Sequence, residues 1–252
     1  MNLPAIRGTI DRRILVNYQV DPDVLTVHLP QPFRPKAIHG KGMVGICLIR
    51  LKHVRPPFLP SWLGTGSENA AHRAAVEWDD RGAVREGVYI QRRDSSSWFN
   101  ALAGGRLFPG FHHHARFHVH ETPDRFEISL QSDDGVTSMS VRACRVDQLP
   151  TSSVFHSIEE ASTFFQGGSL GYSATPSSTR FQGLELNCFH WDMIPLQVEE
   201  VHSSVFEDRS LFPEDSIAFD SAFLMQGIEH EWQRRPDLQV ETDTAATCCG
   251  LT

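Results

Sequence analysis

The sequence predicts a mostly β protein of the α+β class, built from antiparallel sheets that curl on themselves. Short runs rich in Val, Ile, Phe and Tyr alternate with polar residues, which is the pattern of half-buried strands. Clusters of Gly, Pro and Asp separate these runs. The runs are too unevenly spaced for a parallel sheet with helical crossovers, and no repeat with a period of about 20 to 50 residues is present.

Strand patterns cover both halves of the chain. The predicted strands lie at residues 14–19, 43–51, 74–78, 87–92, 115–119, 126–130, 136–146, 180–186 and 195–206.

Helical patterns are few and short. Asp21 is a good N-cap for a helix over 22–27, because Pro22 fits the first helical position. Ser157 similarly starts a helix that ends at Gly167. A third helix is predicted over 94–102.

Length and spacing predict one domain. A chain of 252 residues can bury roughly 70% of the surface that its unfolded form exposes. Because no linker interrupts the strand patterns, we expect a single domain over residues 8–237. Residues 238–252 are polar and small, so we expect a disordered or loosely packed tail there.

Charge and composition limit the partners. The chain has 23 basic and 31 acidic residues, and its arginines are scattered, which argues against a nucleic-acid partner. No apolar run reaches the roughly 20 residues of a membrane helix. Residues 1–11 carry charges and a proline instead of a signal-peptide core. Together with five cysteines and no Cys-x-x-Cys pair, this predicts a cytoplasmic protein without a membrane partner. The sequence is also compatible with a homo-oligomer.

Two short motifs match known sites in spacing but not in context. The glycines of 40–45 have the spacing of a dinucleotide-binding loop, which requires a strand before it and a helix after it. Residues 167–171 match the nucleophile elbow, which requires a strand-to-helix turn. Both contexts are inverted here, so we expect ordinary turns and no cofactor.

A histidine-rich run is the most informative local feature. On a strand, alternate residues of 112–120 share one face, and these are His112, His114, Arg116, His118 and His120. Such a face fits a polar ligand pocket in which Arg116 holds a carboxylate. Metal ligation and a solvated outer face are the alternatives. Metal is disfavoured because no carboxylate lies at ligand spacing and the arginine repels a cation.

Two further polar clusters accompany apolar strands. Glu68 and Asn69 with Arg73 form one cluster, and residues 92–94 form the other. Each is compatible with a site or with a surface turn, because exposed carboxylate–arginine pairs are common and weak.

Several segments, taken together in order and spacing, carry a family resemblance. They are YQVDPDVLTVHL at 18–29, GMVGICLIRLKHVRPP at 42–57, Glu68-Asn69 with Arg73, residues 87–117, and WDMIPLQVEEV at 191–201. The chain resembles the YqjF-like family of uncharacterised bacterial proteins (domain of unknown function 2071), in the acetoacetate decarboxylase-like superfamily. The resemblance implies a barrel- or cone-like antiparallel sheet with a polar pocket inside.

The chain departs from the decarboxylase pattern at the nucleophile. The resemblance places the Schiff-base lysine of those enzymes within 97–104, where this chain has no lysine. The corresponding positions include Asn100, and the decarboxylase arginine near the start of the fold corresponds to Gln19. An imine mechanism is therefore not expected.

The sequence as a whole predicts a domain that binds a small organic acid or carbonyl compound. In a lyase-like enzyme using acid/base chemistry, His114 is the base, Glu68 the acid, and Arg116 orients a carboxylate. The expected ligand-binding residues are Gln19, Arg73, Asn100, His112 and His118. The alternatives are a non-enzymatic sensor with the same pocket and a histidine-based metal enzyme. We expect at least two residues of the histidine face to line the pocket with Glu68 or Arg73.

Overall fold

The computed structural model describes residues 5–98, 109–177 and 179–240, and strands dominate all three segments. The predicted mostly β fold with a curved sheet is confirmed, and its pairings are antiparallel except that β6 pairs in parallel with β7 and with β10. Its strands are β1 (Ile6–Val20), β2 (Arg34–Pro35), β3 (Ala37–Ile38), β4 (Lys41–Arg55), β5 (Thr65–Asp80), β6 (Ala83–Ser95), β7 (His112–Glu121), β8 (Arg125–Ser132), β9 (Ser138–Arg145), β10 (Leu170–Ala174), β11 (Arg180–Cys188), β12 (Ile194–Ser203) and β13 (Ile217–Gln239).

Two of the predicted helices are present. Helix α1 (Pro22–His28) begins as expected, because the Asp21 side chain accepts a hydrogen bond from the Asp23 amide. Helix α2 (Ile158–Gln166) has Ser157 as its cap. The first two residues of the third predicted helix, over 94–102, belong to β6, and its last four, 99–102, lie outside the described residues. No helix in the described part of the chain is both long enough and apolar enough to cross a membrane.

The sheet closes on itself twice. One ring of nine strands runs β6–β7–β8–β9–β12–β13–β1–β4–β5 and closes through the pairing of β5 with β6. A second ring leaves this path at β13, passes through β11 and β10, and returns to β6. The strands β13, β1, β4, β5 and β6 belong to both rings and form a shared wall.

The shared wall has side chains buried on both of its faces. On β1, Ile14 and Val16 belong to one core cluster, with Ile128 of β8 and Val141 of β9. Leu15 points to the other face and belongs to a second cluster, which includes Phe164 and Phe165 of α2 and Phe223 of β13. A strand covered on both faces is apolar at consecutive positions, which explains the run Ile14–Leu15–Val16. Helix α2 therefore packs on the second-ring side of the wall.

The long strand β13 was not predicted. It pairs with β1 along much of its length, with β12 near its start and with β11 near its end. Gly227, with φ of 64°, interrupts the strand pattern, and polar Asp220 is buried with hydrogen bonds from Ser153 and Val154. Both features break the alternation of apolar and polar residues, so the sequence pattern does not reveal the strand. β13 extends to Gln239, and residues 241–252 of the expected tail lie outside the described residues.

Candidate ligand cavity

A cavity of about 160 Å³ lies on the second-ring side of the shared wall. Strands β1, β4, β5 and β6 contribute to its lining, together with α2, β10, β11 and β13. The volume is roughly ten times the space that one water molecule requires. It is therefore large enough for a small organic molecule.

Small side chains on the wall create this space. Cys47 of β4 is opposite Ala71 of β5, and Ala71 is in turn opposite Arg93 of β6. Ala75 continues the same face of β5. In β6, Gly87 lies so close to β10 that a Cβ atom there would approach the Leu170 carbonyl oxygen to 2.4 Å. Because these side chains are small, they leave open space above the wall while the surrounding strands remain closely packed.

Three arginines point into the cavity from different strands. Arg13 of β1 and Arg73 of β5 are 9% and 7% exposed, and Arg93 of β6 is half-buried. Arg13 Nε donates a hydrogen bond to Cys47 Sγ at 3.2 Å. An Arg73 Nη donates to Asn17 Oδ1 at 2.6 Å. An Arg93 Nη donates to the Pro109 carbonyl oxygen at 3.1 Å.

These arginines form no ion pair with a carboxylate in the described residues. Burial lowers the pKa of Arg73 to about 10, and the nearby Arg13 lowers it further in the same direction. Burial also lowers the pKa of Arg93 to about 10. Both guanidinium groups stay charged near neutral pH. The buried Nε of Arg73 has no hydrogen-bond partner in the described structure, and such a group costs about 1–3 kcal/mol.

His112 lines the same cavity as a neutral imidazole. Burial, followed by the charge of Arg93, lowers its pKa to about 3. Its Nε2 is 3.3 Å from the Pro109 carbonyl oxygen. A carbonyl oxygen only accepts hydrogen bonds, so Nε2 carries the proton and Nδ1 carries the lone pair. In the free protein His112 is therefore a neutral hydrogen-bonding group that resists protonation.

One carboxylate, that of Asp94, also belongs to the lining. It is fully buried and is bonded to Arg92, with an Nη to Oδ1 distance of 2.8 Å. Burial raises the pKa of Asp94, and Arg92 opposes that effect. Its charge is thus matched by Arg92, on its own strand, and not by the three cavity arginines.

The structure brings only some of the sequence-predicted residues to the cavity. Arg73 and His112 line it. Gln19 does not, because its side-chain amide donates to the Ser152 carbonyl oxygen. Glu68 lies in a separate ion-pair network with Arg12 and Arg50. Asn100 lies outside the described residues.

The rest of the histidine face points away from the cavity. Arg116, His118 and His120 are exposed, while Ala115 is buried and Phe117 and Val119 pack against the core. The expectation that this face turns inward is therefore corrected. The apolar face of β7 packs against the core, and most of the polar face is exposed to solvent. Of the five polar residues on this face, His112 alone belongs to the cavity lining within the described part of the chain.

His114 occupies an intermediate position at the surface. Its Nδ1 lies 2.7 Å from an Asp133 carboxylate oxygen, and its ring stacks on Trp98 with centroids 3.9 Å apart. His114, which the sequence predicted as the base, and Arg116, which it predicted to orient a carboxylate, are therefore not part of the cavity lining.

Sequence reasoning missed Arg13 and Cys47 and treated Arg93 only as part of a polar cluster. The available signal was a charged pair, Arg12 and Arg13, directly before the apolar run of β1. In a strand buried on both faces, both members of such a pair must be buried, one on each side. Recognising this requires knowing that the sheet closes twice.

Comparisons with known proteins agree with this fold. The family model DUF2071, described as an uncharacterized conserved protein, matches residues 8–224. Comparison with curated proteins finds no match.

Several solved structures share the architecture. Acetoacetate decarboxylase from Legionella pneumophila is 15% identical, with a TM-score of 0.57, covering 97% of this chain and 90% of that chain. An acetoacetate decarboxylase-like enzyme from Sphingomonas wittichii is 10% identical, with a TM-score of 0.57 and coverage of 96% and 94%. The enduracididine biosynthesis enzyme MppR, complexed with pyruvate, is 12% identical, with a TM-score of 0.55 and coverage of 96% and 91%. The chain belongs to the DUF2071 family and has an acetoacetate decarboxylase-like fold.

Proposed function

We propose that the cavity binds a small organic acid through its carboxylate. The observation that carries this proposal is the group of three arginines, Arg13, Arg73 and Arg93, that line one small cavity without a carboxylate partner in the described residues. Guanidinium groups bind carboxylates with two parallel hydrogen bonds, and such charge-assisted bonds are stronger than neutral ones.

The energetics of burial favour an anion here. A buried charge without a counter-charge is costly, and burial, with a smaller effect of the nearby Arg13 charge, lowers the pKa of Arg73. A carboxylate supplies the missing negative charge and an acceptor for the unpaired Nε of Arg73. Apolar side chains such as Val88, Ile90 and Leu184 would contact the carbon skeleton of the ligand.

The fold neighbours support an organic acid or carbonyl compound as the ligand class. One of them, MppR, is complexed with pyruvate, which contains both groups. Two others are named for, or likened to, a decarboxylase of acetoacetate. The identities of 10–15% carry the fold only, so the ligand class rests on the arginines of this chain.

For catalysis we propose acid/base chemistry in which His112 becomes the proton acceptor once a bound carboxylate offsets the charge of Arg93, which together with burial lowers the pKa of His112 in the free protein. This neutral imidazole takes the role that the sequence assigned to His114. An imine is not part of the proposal. Lys36 reaches the cavity lining, but its ammonium group is paired with Glu86 at 2.7 Å and lies over the Phe164 ring.

A non-enzymatic binding protein is the second candidate. Glu68, the acid that the sequence paired with a histidine, contacts Arg12 and Arg50 and lies outside the cavity lining. The cavity thus lacks the acid that the sequence assigned to it, which favours ligand binding without turnover. Incubation with pyruvate or acetoacetate, followed by NMR, separates the candidates: consumption indicates an enzyme, and unchanged bound ligand a sensor.

The binding step is tested by titrating pyruvate and its neutral amide analogue, pyruvamide, with isothermal titration calorimetry. We expect pyruvate to bind at least tenfold more tightly than pyruvamide, because only the carboxylate carries a negative charge that can pair with the arginines. Arg73→Gln should reduce pyruvate affinity at least tenfold. Arg116→Gln, on the exposed face of β7, is the matched control and should retain affinity. Equal binding of both ligands, or equal losses in both variants, would contradict the proposal.

A further inference from the structure

A second group of potential ligand atoms lies away from the cavity arginines, where the turn between β3 and β4 meets the start of α2. His39, in the turn, has its Nε2 2.8 Å from Oε1 of Glu160 in α2. His156, just before α2, has its Nδ1 4.0 Å from Oε2 of the same carboxylate. The two imidazole rings lie 4.3 Å apart, centroid to centroid. One atom from each residue falls within 4.8 Å of the others.

The local backbone holds these three groups in place. His39 and Gly40 form the tight turn with φ of 48° and 79°. Both residues are thus left-handed, a conformation in which Asn and Gly are usual and His is uncommon. The Glu160 carboxylate is oriented by the His156 backbone amide, which donates to Oε2 at 2.7 Å. Such an outer hydrogen bond is typical of carboxylates that bind metals.

We propose that His39, His156 and Glu160 bind one first-row divalent cation such as Zn²⁺, which clamps the β3–β4 turn to α2. Two imidazole nitrogens and one carboxylate oxygen are a common ligand set for zinc. Ligand bonds of about 2.0–2.2 Å in a tetrahedral site separate neighbouring ligand atoms by about 3.3–3.6 Å. One ligand atom from each of the three residues lies within 4.8 Å of the others, so small rotations of the exposed imidazoles would bring the three atoms to that spacing.

The chemistry of the metal-free cluster is compatible with metal loading. The Glu160 carboxylate lies between the two histidines, because Oε1 is 2.8 Å from His39 Nε2 and Oε2 accepts a hydrogen bond from the His156 amide at 2.7 Å. A cation would take the place of the hydrogen bond between His39 and Glu160. The side chains of His39 and His156 are 42% and 75% exposed, so a cation reaches them from solvent and keeps water as a further ligand.

This site differs from the histidine face of β7 in a decisive way. There, Arg116 lies among the histidines, and none of these histidines belongs to a metal-like group of ligand atoms in the described part of the chain. At the α2 cluster, the carboxylate supplies the charge that a divalent cation requires. The proposal is independent of organic-acid binding, although α2 also carries Phe164 and Phe165 of the cavity lining.

The test is equilibrium dialysis of the full chain against Zn²⁺, with bound metal measured by mass spectrometry. We expect a tight stoichiometry near one, and a rise in melting temperature on loading. His39→Asn should lower zinc affinity at least tenfold while keeping the turn, because Asn adopts the left-handed conformation readily. Glu160→Gln should do the same while its amide oxygen still accepts from the His156 amide.

The matched control is the double variant His118→Ala with His120→Ala on the exposed face of β7. It removes two surface imidazoles and should leave the zinc stoichiometry and affinity unchanged. Three outcomes would overturn the proposal: no tight zinc site in the wild-type chain, a site unaffected by His39→Asn and Glu160→Gln, or a site lost in the double control. Circular dichroism of each variant verifies that it is folded.

Discussion

At the scale of single residues, the molecule carries buried histidines that cannot be protonated without cost. His72 of β5 is 3% exposed, and neither of its ring nitrogens has a hydrogen-bond partner in the described structure. Burial, and then Arg92, lowers its pKa to about 4. Burial likewise lowers the pKa of His230 to about 4. Because the unfolded chain protonates these residues near pH 6.5, the unfolded state binds more protons below that pH.

The resulting prediction concerns stability against pH. The contribution of His72 is complete above about pH 6.5 and is lost progressively as the pH falls toward 4, which amounts to about 2 kcal/mol between pH 7 and pH 5. Urea unfolding at both pH values measures it. His72→Gln should flatten the dependence, whereas His118→Gln, at an exposed site, should not. A wild-type chain equally stable at pH 5 and pH 7 would refute the assignment.

At the scale of elements, one ion-pair network joins strands of the shared wall to β7. Arg12 of β1 is 1% exposed and contacts Glu68 of β5 at 2.6 Å and Glu121 of β7 at 2.5 Å. Arg50 of β4 contacts Glu68 at 2.5 Å and also Glu121. Glu68 thus lies between two arginines. Its geometry suits a role in holding strands together better than the catalytic role that the sequence suggested.

This difference leads to a prediction for Glu68→Gln. The variant leaves buried Arg12 with Glu121 alone, so we expect a loss of about 1–3 kcal/mol in the free energy of unfolding, reduced by the partial exposure of the network. Pyruvate affinity should change less than threefold, because the site lies outside the cavity lining. Glu127→Gln, at an exposed position of β8, is the control for stability. A tenfold loss of pyruvate affinity in a folded Glu68→Gln protein would show that Glu68 contributes to the ligand site after all.

The elements also show what the sequence could reveal. Apolar and alternating runs located parts of β1, of β4 to β9, and of β11 and β12, because each contains a stretch of apolar residues that are buried or partly buried. They failed for β13, in which Gly227 and buried Asp220 break the pattern. Sequence reasoning placed Arg73 and His112 in the site but missed Arg13, because the direction of a side chain depends on how the rings close. That closure depends on pairings between distant segments, such as Tyr89 of β6 with Tyr172 of β10.

At the scale of the whole molecule, the two rings share their wall, and this has a consequence for stability. Strand β13 pairs with β1, β11 and β12 and so belongs to both rings. Neither ring keeps its closure if the shared strands separate, because each would leave unpaired strand edges and an exposed apolar face. The two core clusters meet across β1, where Ile14 and Leu15 face opposite sides.

We therefore predict that the chain unfolds as one cooperative unit, consistent with the single domain proposed for residues 8–237. Far-ultraviolet circular dichroism, tryptophan fluorescence and the loss of pyruvate binding should give coincident urea transitions, because secondary structure, packing and cavity depend on the same wall. Limited proteolysis should trim the termini without leaving two stable halves. The connection near Pro150, between β9 and α2, is the critical place for a cut, since it separates β1–β9 from the elements that complete both rings. Two stable fragments from a cut there, or a pyruvate-binding transition well before the loss of circular dichroism, would show that one ring folds without the other.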